Sequence, residues 1–296
     1  VDYACERVRE VSKRTSVSGT IVGLAVITLV AMCGADGLWG QYSLPPVIIS
    51  AIGAVLIQWI AFGFAWKLKS ERFFDLLGSA TFALVVVLAA LYSRSDIGPL
   101  DIALLIAVCL WASRLGFFLV SRVRKVGSDR RFDAMKKDFS WFLMTWTLQA
   151  TWVVVTTAPV LTVIGDGVGQ QIGIVETFGL LVWAIGFSIE IIADEQKKKF
   201  RLSGSDSFIC TGLWNRSRHP NYFGEIVLWS GLAIAALPSL NGFQLLTLIS
   251  PLFVWTLLMK ISGVPMLEAK ADRKWGNDPA YVDHKSTTPL LVPRLK

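Results

Sequence analysis

The segment Thr211–Glu225, TGLWNRSRHPNYFGE, carries the densest group of side chains that could do chemistry. Pro220 followed by Asn221 indicates a turn into the start of a helix. Helix N-termini bind phosphate through free N–H groups, and neighbouring arginines strengthen that preference. The pattern therefore predicts a site for a phosphorylated nucleotide with a histidine beside it, rather than a simple basic interfacial loop. The polar residues concerned are Arg216, Arg218, His219, Asn221, Tyr222 and Glu225.

Two carboxylates precede this segment. Glu190 and Asp194, in GFSIEIIADEQKKKFRL, are four residues apart and share one face of a helix. Two carboxylates in a basic setting could orient ribose hydroxyls or a cationic group. The alternative is an ordinary polar helix end paired with the lysines at 197–199.

Arg114 stands midway along an apolar stretch, LWASRLGFF. A charge there costs about 2.5–3.5 kcal/mol on insertion scales. We therefore expect Arg114 to line a polar cavity or to bind a ligand. The alternative is that its side chain snorkels to the membrane surface.

The composition indicates which elements position these residues. Of 296 residues, 53% are hydrophobic and only 17% are charged, against about a quarter charged in soluble domains. This balance argues against a disordered chain, a secreted disulfide scaffold and an ordinary soluble enzyme. It predicts an all-α fold, a polytopic membrane helical bundle.

Apolar stretches long enough to cross about 30 Å of hydrocarbon give the helix count. The seventh is short, so the expected number of transmembrane helices is seven to eight, with eight preferred. Without water, only helices or closed barrels satisfy the backbone, and uninterrupted apolar runs favour helices. The expected spans are Val17–Ala35, Pro45–Trp66, Phe74–Tyr92, Pro99–Ser121, Phe139–Ile164, Ile172–Ala193, Gly224–Leu237 and Phe243–Ile261.

The basic residues alternate between loops. With eight spans, one side of the membrane holds 27 of the 29 lysines and arginines. This is the positive-inside pattern, and it predicts both termini on the basic side. The excess of basic charge, a net +7, then reflects topology and contact with anionic lipids, and we expect no nucleic-acid partner.

The chain shows no internal repeat and no linker, so residues 1–296 are expected to form a single integral membrane domain. Residues 1–16 are expected to include an interfacial amphipathic helix, and residues 262–296 a tail on the basic side. Four cysteines without ligand spacing and only two histidines predict no metal site. The endoplasmic reticulum and the bacterial and mitochondrial inner membranes all fit this description.

Several stretches, in order, resemble the membrane reductases related to steroid 5α-reductase and the sterol reductases. The C-terminal stretch RSRHPNYFGE is similar to their signature. The earlier stretches are similar to the bacterial and plant branch of that superfamily; they are LKSERFFDLLGSATF, LWASRLGFFLVSRV, GSDRRFD, IEIIADEQKKKF and YVDHKSTTPLLVP. Isoprenylcysteine carboxyl methyltransferases and phospholipid methyltransferases carry a similar Arg-His-Pro-x-Tyr segment and bind S-adenosylmethionine there.

The resemblance implies a steroid-reductase-like bundle that binds NADPH and reduces a carbon–carbon double bond of a flat hydrophobic lipid. It implies cofactor-binding roles for residues of the motif and of two upstream helices. These are Asp194, Arg201, Arg218, His219, Asn221, Tyr222, Glu225 and Arg114.

The chain departs from the family at the proton donor. Counting from Arg114, Trp111 occupies the position of the tyrosine that polarises the steroid ketone in animal enzymes. Indole donates a hydrogen bond but is not a general acid. The expected catalytic residues are therefore Tyr222, as the donor, with Glu71 behind it.

Three functions remain open at this point. The first is an NADPH-dependent oxidoreductase acting on CH–CH groups of a sterol-like or polyprenyl lipid. The second is a lipid or prenylcysteine methyltransferase that uses S-adenosylmethionine. The third is a non-catalytic subunit that retains the reductase fold within a larger membrane complex. Only the first calls for several arginines or lysines around a 2′-phosphate.

Overall fold

The computed structural model describes residues 13–93, 97–126 and 132–294, with side chains left out from 118 to 126. Within these residues every regular element is helical and there is no strand. Eight of the helical segments are long and apolar enough to cross a lipid bilayer. The all-α, multi-pass membrane architecture is therefore confirmed. The described residues cluster into two compact units, one formed by those up to 171 together with 239–248, the other by 172–238 together with those from 249 onward.

The first unit contains six helices, and the sixth is its core. These helices are α1 (Lys13–Gly34), α2 (Pro46–Leu68), α3 (Phe74–Tyr92), α4 (Pro99–Val126), α5 (Phe132–Met135) and α6 (Phe139–Asp166). In α6, 89% of the apolar window is buried inside the protein, whereas no more than 44% is buried in the other spans of this unit. A helix that is apolar all round belongs inside a bundle, and α6 packs against α1, α2, α3 and α4.

Polar bonds between helices fix the packing of the first unit. The Ser50 hydroxyl donates to the Val85 carbonyl at 3.0 Å, and the Gln58 amide donates to Thr81 Oγ1 at 2.9 Å. The Trp59 indole donates to Thr147 Oγ1 at 3.0 Å. Such bonds replace the water that these groups lack within a membrane.

The second unit contains the motif and the C-terminal helices. Its α-helices are α7 (Ile174–Leu202), α8 (Pro220–Ala236), α9 (Ser250–Thr256), α10 (Val264–Trp275) and α11 (Pro279–Thr287), with a 3₁₀ turn at Gly212–Asn215. The α7 helix runs nine residues beyond the predicted span end at residue 193. Asp194 therefore lies on a helix, as predicted, and the same helix also carries Arg201. The expected tail, 262–296, contains two helices.

The eighth predicted span, Phe243–Ile261, is not one continuous α-helix. Gly242–Ile249 is a 3₁₀ helix, α9 follows, and Leu257–Ile261 is a π-helix. The proline in the first turn of α9 has no N–H to extend the ladder of the preceding helix. The Ser262 N–H donates to the Leu257 carbonyl at 2.9 Å, which closes the wide turn before α10.

Some expectations stay predictions. Twelve of the sixteen residues of the interfacial helix, and the centre of the basic loop after α4, lie outside the described residues. The side of the membrane on which the termini lie, the organelle and the single-domain organisation also stay predictions.

Candidate functional site

The C-terminal half of α7 presents one polar face. Glu190, Asp194, Lys197 and Arg201 follow one another at steps of three or four residues, so they share a side of the helix. Glu190 is 4% exposed although it is a carboxylate in an apolar helix. Because burying a charge is expensive, this residue marks where α7 stops being a simple lipid-facing span.

Glycine pairs bring α7 and α8 into backbone contact beside Glu190. A Cβ on Gly224 would lie 2.7 Å from the Glu190 nitrogen and 2.7 Å from the Gly186 carbonyl oxygen. One heptad along, a Cβ on Gly231 would lie 2.7 Å from the Gly179 carbonyl oxygen. Small residues allow such approach between membrane helices. The motif at the start of α8 is thereby held against the polar face of α7.

The 3₁₀ turn between the two helices is bound to α7. The Leu213 N–H donates to Gln196 Oε1 at 3.0 Å, and the Trp214 indole donates to the Ala193 carbonyl at 3.0 Å. Gly212 has a φ of 63° with Gln196 packed against it, a combination that suits glycine. Lys197 Nζ lies 4.6 Å from the centre of the Trp214 ring, a cation–π distance.

Glu268 of α10 organises the motif. Its Oε2 accepts from Arg218 Nη1 and its Oε1 lies 2.9 Å from His219 Nε2. Lys285 of α11 lies 3.6 Å from the same carboxylate. The arginine and the histidine predicted to meet a ligand are therefore already bound to a carboxylate of the protein.

Tyr222, the expected proton donor, stacks on His219. The ring centroids are 5.7 Å apart and the planes differ by 13°. A Cβ on Gly263 would lie 3.0 Å from Tyr222 Cε2, so the tyrosine ring packs against the break that precedes α10. The ring position is therefore set by the histidine and by this glycine together.

The C-terminal segment is bound to the motif. The Arg218 N–H donates to the Pro289 carbonyl at 2.9 Å, and the Ser217 hydroxyl donates to the Leu291 carbonyl at 2.7 Å. The Arg294 N–H donates to the Arg216 carbonyl at 3.0 Å. The residues just before His219 are thereby fixed from both sides.

Two titratable groups of α11 lie next to this network. Burial, together with a hydrogen bond donated to Asp272 Oδ1 at 3.0 Å, raises the pKa of Tyr281. Burial and the positive charge of Arg218 lower the pKa of His284. The phenol of Tyr281 is thus held by Asp272 of α10, which agrees with a structural role for α11.

Some polar side-chain atoms of the motif make no hydrogen bond. Arg218 Nε, His219 Nδ1 and Asn221 Oδ1 are buried and have no hydrogen-bond partner within the described residues. Unsatisfied buried polar atoms are uncommon, and each calls for a bound water or ligand. All three atoms belong to the four consecutive residues 218–221.

Several cations in or beside the motif have no carboxylate partner among the described residues. They include Arg216 of the motif and Lys197, Arg201 and Lys270; the charges of Arg201 and Lys270 repel that of Lys197, while Asp194 attracts it. Arg201 and Lys270 are exposed, whereas Lys197 is half-buried. Asp194 and Glu225 make interactions of their own.

The remaining predicted residues belong to the first unit. Glu71, buried at the start of α3, accepts from Lys136 Nζ at 2.7 Å, and Lys136 also lies 3.3 Å from Asp133. Burial alone would lower the pKa of Lys136, but its bonds to these carboxylates raise it. Glu71 is thus the anion of a buried ion pair.

Trp111 and Arg114 lie on α4. Trp111 is 1% exposed, and its ring makes an edge contact with Phe82, at a centroid distance of 4.9 Å. The Trp152 ring lies 6.4 Å from the Trp111 ring and 4.9 Å from the Phe82 ring, measured between centroids. Arg114 is half-buried and makes interactions of its own. The position expected for a phenol is therefore packed with aromatic rings.

Sequence reasoning missed Glu268, Lys270 and Lys197 as members of the site. A signal was present, because Glu268 and Asp272 are four residues apart in a basic segment and so share a helical face. Their pairing with Arg218 and Lys285 depends on how α10 packs.

A family model described as "Protein of unknown function (DUF1295)" matches residues 61–288, a range that includes the motif and helices α7, α8, α10 and α11. No curated protein and no solved structure matches the chain.

Proposed function

Since the chain belongs to the DUF1295 family, which the match over residues 61–288 shows, we propose for it the function that its motifs favour. This is an NADPH-dependent membrane reductase of a carbon–carbon double bond in a sterol-like or polyprenyl lipid. The observation that carries the proposal is the set of uncompensated cations, Lys197, Arg201 and Lys270, beside a motif with unsatisfied polar atoms.

The charges favour a ligand with several phosphates. Lysine and arginine side chains without a carboxylate partner are stabilised most by binding an anion. Their charge-assisted hydrogen bonds are stronger than those between neutral groups. Exposed Arg201 and Lys270 suit a phosphate at the aqueous edge, and half-buried Lys197 suits one further in. S-adenosylmethionine carries a positive charge on its sulfonium and gains nothing from these cations.

The residues present fit a dinucleotide. The cations would hold its phosphates, Asp194 at the same face would accept from ribose hydroxyls, and the 218–221 segment would bind its remaining polar groups. When bound, NADPH supplies the hydride, and the protein must orient the reacting groups, exclude water and supply a proton. The apolar helices supply the setting for a lipid substrate.

Tyr222 remains the candidate donor. Its ring is fixed by the stack on His219, and a positioned phenol contributes about 10²–10⁴-fold in general acid catalysis. The case for Glu71 as a catalytic residue behind Tyr222 is weaker than the sequence indicates, because its carboxylate already forms an ion pair with Lys136. We keep Tyr222 as the proposed acid and assign Glu71 a structural part.

A non-catalytic subunit is the second candidate, and one observation favours it. By the resemblance, Trp111 occupies the position that a tyrosine holds in animal steroid 5α-reductases, and its ring lies beside Phe82 and Trp152, so an indole stands in the place of that phenol. A protein with this arrangement could retain the fold and bind partners without turnover. Nucleotide binding separates the two readings, since only the reductase requires it.

The test is nucleotide binding by the full chain in lipid nanodiscs. We expect the parent to bind NADPH and not S-adenosylmethionine. Lys197→Ala should weaken NADPH binding by about 10-fold or more, the scale of one charged hydrogen bond. Lys198→Ala is the matched control, because this exposed lysine pairs with Glu195 at 3.3 Å and not with the site. Preference for S-adenosylmethionine, or no loss in Lys197→Ala, would overturn the proposal.

A further inference from the structure

The end of α2 and the turn that leads to α3 present cations that the protein does not neutralise. Lys67, Lys69 and Arg72 are exposed, and none of them has a carboxylate partner among the described residues. The one carboxylate of the turn, Glu71, is 7% exposed and faces inward, where it accepts a hydrogen bond from Lys136 Nζ at 2.7 Å. The outward side of the turn therefore carries three positive charges and no carboxylate of its own.

Lys69 has an unusual backbone conformation. Its φ is 49° and its ψ is 40°, in the left-handed region, where every other described residue is a glycine. Glycine is the usual residue where a helix ends in this way, because other residues rarely adopt that conformation. The Ser70 N–H donates to the Ala65 carbonyl at 3.1 Å across the turn, which ends α2 sharply. The lysine side chain is thus present at a cost in backbone strain, a feature that clusters at functional sites.

The ammonium of Lys69 lies on an aromatic platform. Its Nζ is 2.9 Å from the centre of the Trp66 ring, which is a cation–π contact. The Trp66 ring makes an edge contact with Phe139, at a centroid distance of 5.2 Å, and stacks on Phe62 at 6.4 Å. The cation is therefore held in place without being neutralised, because the ring carries no net charge.

These groups lie at the depth of lipid headgroups. The α2 helix has 23 residues, and a rise of about 1.5 Å per residue makes it about 34 Å long, slightly more than the hydrocarbon core of about 30 Å. Tryptophan is typical of the boundary between hydrocarbon and headgroups. Leu68 and Phe73, which are 66% and 59% exposed, flank the cations. Exposed cations with exposed apolar neighbours are typical of a segment that lies in a membrane interface.

We propose that this turn binds the headgroup of an anionic phospholipid. The three cations bind the phosphodiester, and Leu68 and Phe73 contact the acyl chains next to it. An anionic membrane surface attracts each nearby lysine or arginine by about 5-fold in affinity, whereas a zwitterionic lipid carries an ammonium that these cations repel. The alternating basic loops predict anionic lipid along the whole basic side, and the geometry singles out this turn. The site belongs to the first unit, and the inference does not depend on the proposed function.

The test measures lipid binding by native mass spectrometry of the full chain in a neutral detergent. Dioleoyl phosphatidylglycerol and dioleoyl phosphatidylcholine are the probes, because they share acyl chains and differ in headgroup charge. We expect the parent to bind the first phosphatidylglycerol about 5-fold or more tightly than phosphatidylcholine. Lys67→Gln with Lys69→Gln should weaken phosphatidylglycerol binding by about 5-fold or more and leave phosphatidylcholine binding unchanged.

The control removes the same charge elsewhere. Lys198→Gln with Lys199→Gln changes two adjacent exposed lysines at the end of α7, where Lys198 already pairs with Glu195 at 3.3 Å. We expect the phosphatidylglycerol affinity of this variant to change by less than about 2-fold, because exposed charges interact weakly. Equal losses in the two double variants would show that lipid binding follows net charge alone, and would overturn a specific site.

Two further measurements identify the ligand chemistry. Lys67→Arg with Lys69→Arg keeps both charges and should retain the parent's affinity; a loss as large as in the glutamine variant would contradict recognition by charge. Excess inorganic phosphate should not displace the lipid, because it makes no contact with Leu68 and Phe73. Displacement by phosphate would mean an anion site without a lipid. No preference of the parent for phosphatidylglycerol would also overturn the proposal, and would leave an acidic protein segment as the partner of these cations.

Discussion

Replacing Gly224 with alanine tests the contact that positions the motif. The new Cβ would lie 2.7 Å from the Glu190 nitrogen and the Gly186 oxygen, and 3.0 Å from Glu190 Cβ. Ordinary contact begins near 3.4 Å, so α7 and α8 must separate by about 0.7 Å at this point. The nearest atoms belong to a helix backbone, so no rotamer change relieves the clash.

The magnitude follows from two opposing effects. Overpacking of this kind costs about 1–3 kcal/mol. Alanine in a helix interior regains about 0.5–1 kcal/mol over glycine. We therefore expect a net loss of about 0–2.5 kcal/mol, centred near 1 kcal/mol. We also expect a weaker NADPH affinity, because Glu190 and Asp194 move relative to the start of α8.

The assay is thermal unfolding in nanodiscs, followed by tryptophan fluorescence. A loss of 1 kcal/mol corresponds to a Tm about 2–4 °C lower for domains of about 150–250 residues. Gly63→Ala in α2 is the matched control, since a Cβ there would meet nothing within 4 Å. A Tm for Gly224→Ala equal to or above that of Gly63→Ala would refute the close-contact reasoning.

Further predictions concern topology, chemistry, the buried ion pair and pH. Epitope tags on the two termini should be protected or cleaved together, and opposite accessibility would contradict an even number of crossings. The unmodified protein should not reduce 3-keto-4-ene steroids at the rate of animal 5α-reductases, and Trp111→Tyr should increase the rate of any enone reduction. Robust steroid turnover that is unaffected by Tyr222→Phe would show that the proposed active site is in the wrong place. Glu71→Ala should lower the Tm because it removes the buried partner of Lys136 and leaves this lysine only the exposed carboxylate of Asp133. Asp133→Ala should leave the Tm nearly unchanged, and equal shifts in the two variants would contradict a structural role for Glu71. Because the pKa of His284 is lowered in the folded protein, the unfolded chain binds a proton more readily, so stability should fall as the pH drops below 6.5. His284→Gln should reduce this dependence of stability on pH. An unchanged dependence would assign the effect to other groups.

The roles of the motif residues differ from those that their identities indicate. From the sequence alone, Arg218 and His219 are expected to be cations that bind a phosphate. Once Glu268 is placed beside them, Arg218 and His219 are bound to a carboxylate, and the unpaired cations near the motif include Lys197, Arg201, Lys270 and Arg216. The distinction changes how an Arg218→Ala variant is interpreted, because this variant would also remove a binding partner of the Glu268 carboxylate.

The sequence by itself determined the fold class and the number of spans. Apolar runs of about twenty residues must become helices in lipid, and the eight helical segments that are long and apolar enough to cross a bilayer follow from that constraint. The polar face of Glu190 and Asp194 was equally determined, because helical periodicity is a local property. The start of α8 at Pro220 follows from the missing N–H of proline.

Only the tertiary structure decided which partners these residues have. The bonds of Glu268 to Arg218 and His219 join residues about fifty positions apart, and periodicity carries no information on such pairs. The backbone approach of Gly224 to Gly186, and the pairing of Glu71 with Lys136, likewise depend on which helices pack together. The break in the eighth span combines a local proline with packing of Tyr222 against Gly263. Local chemistry places residues on helices, and the packing of helices determines which charges remain available for a ligand.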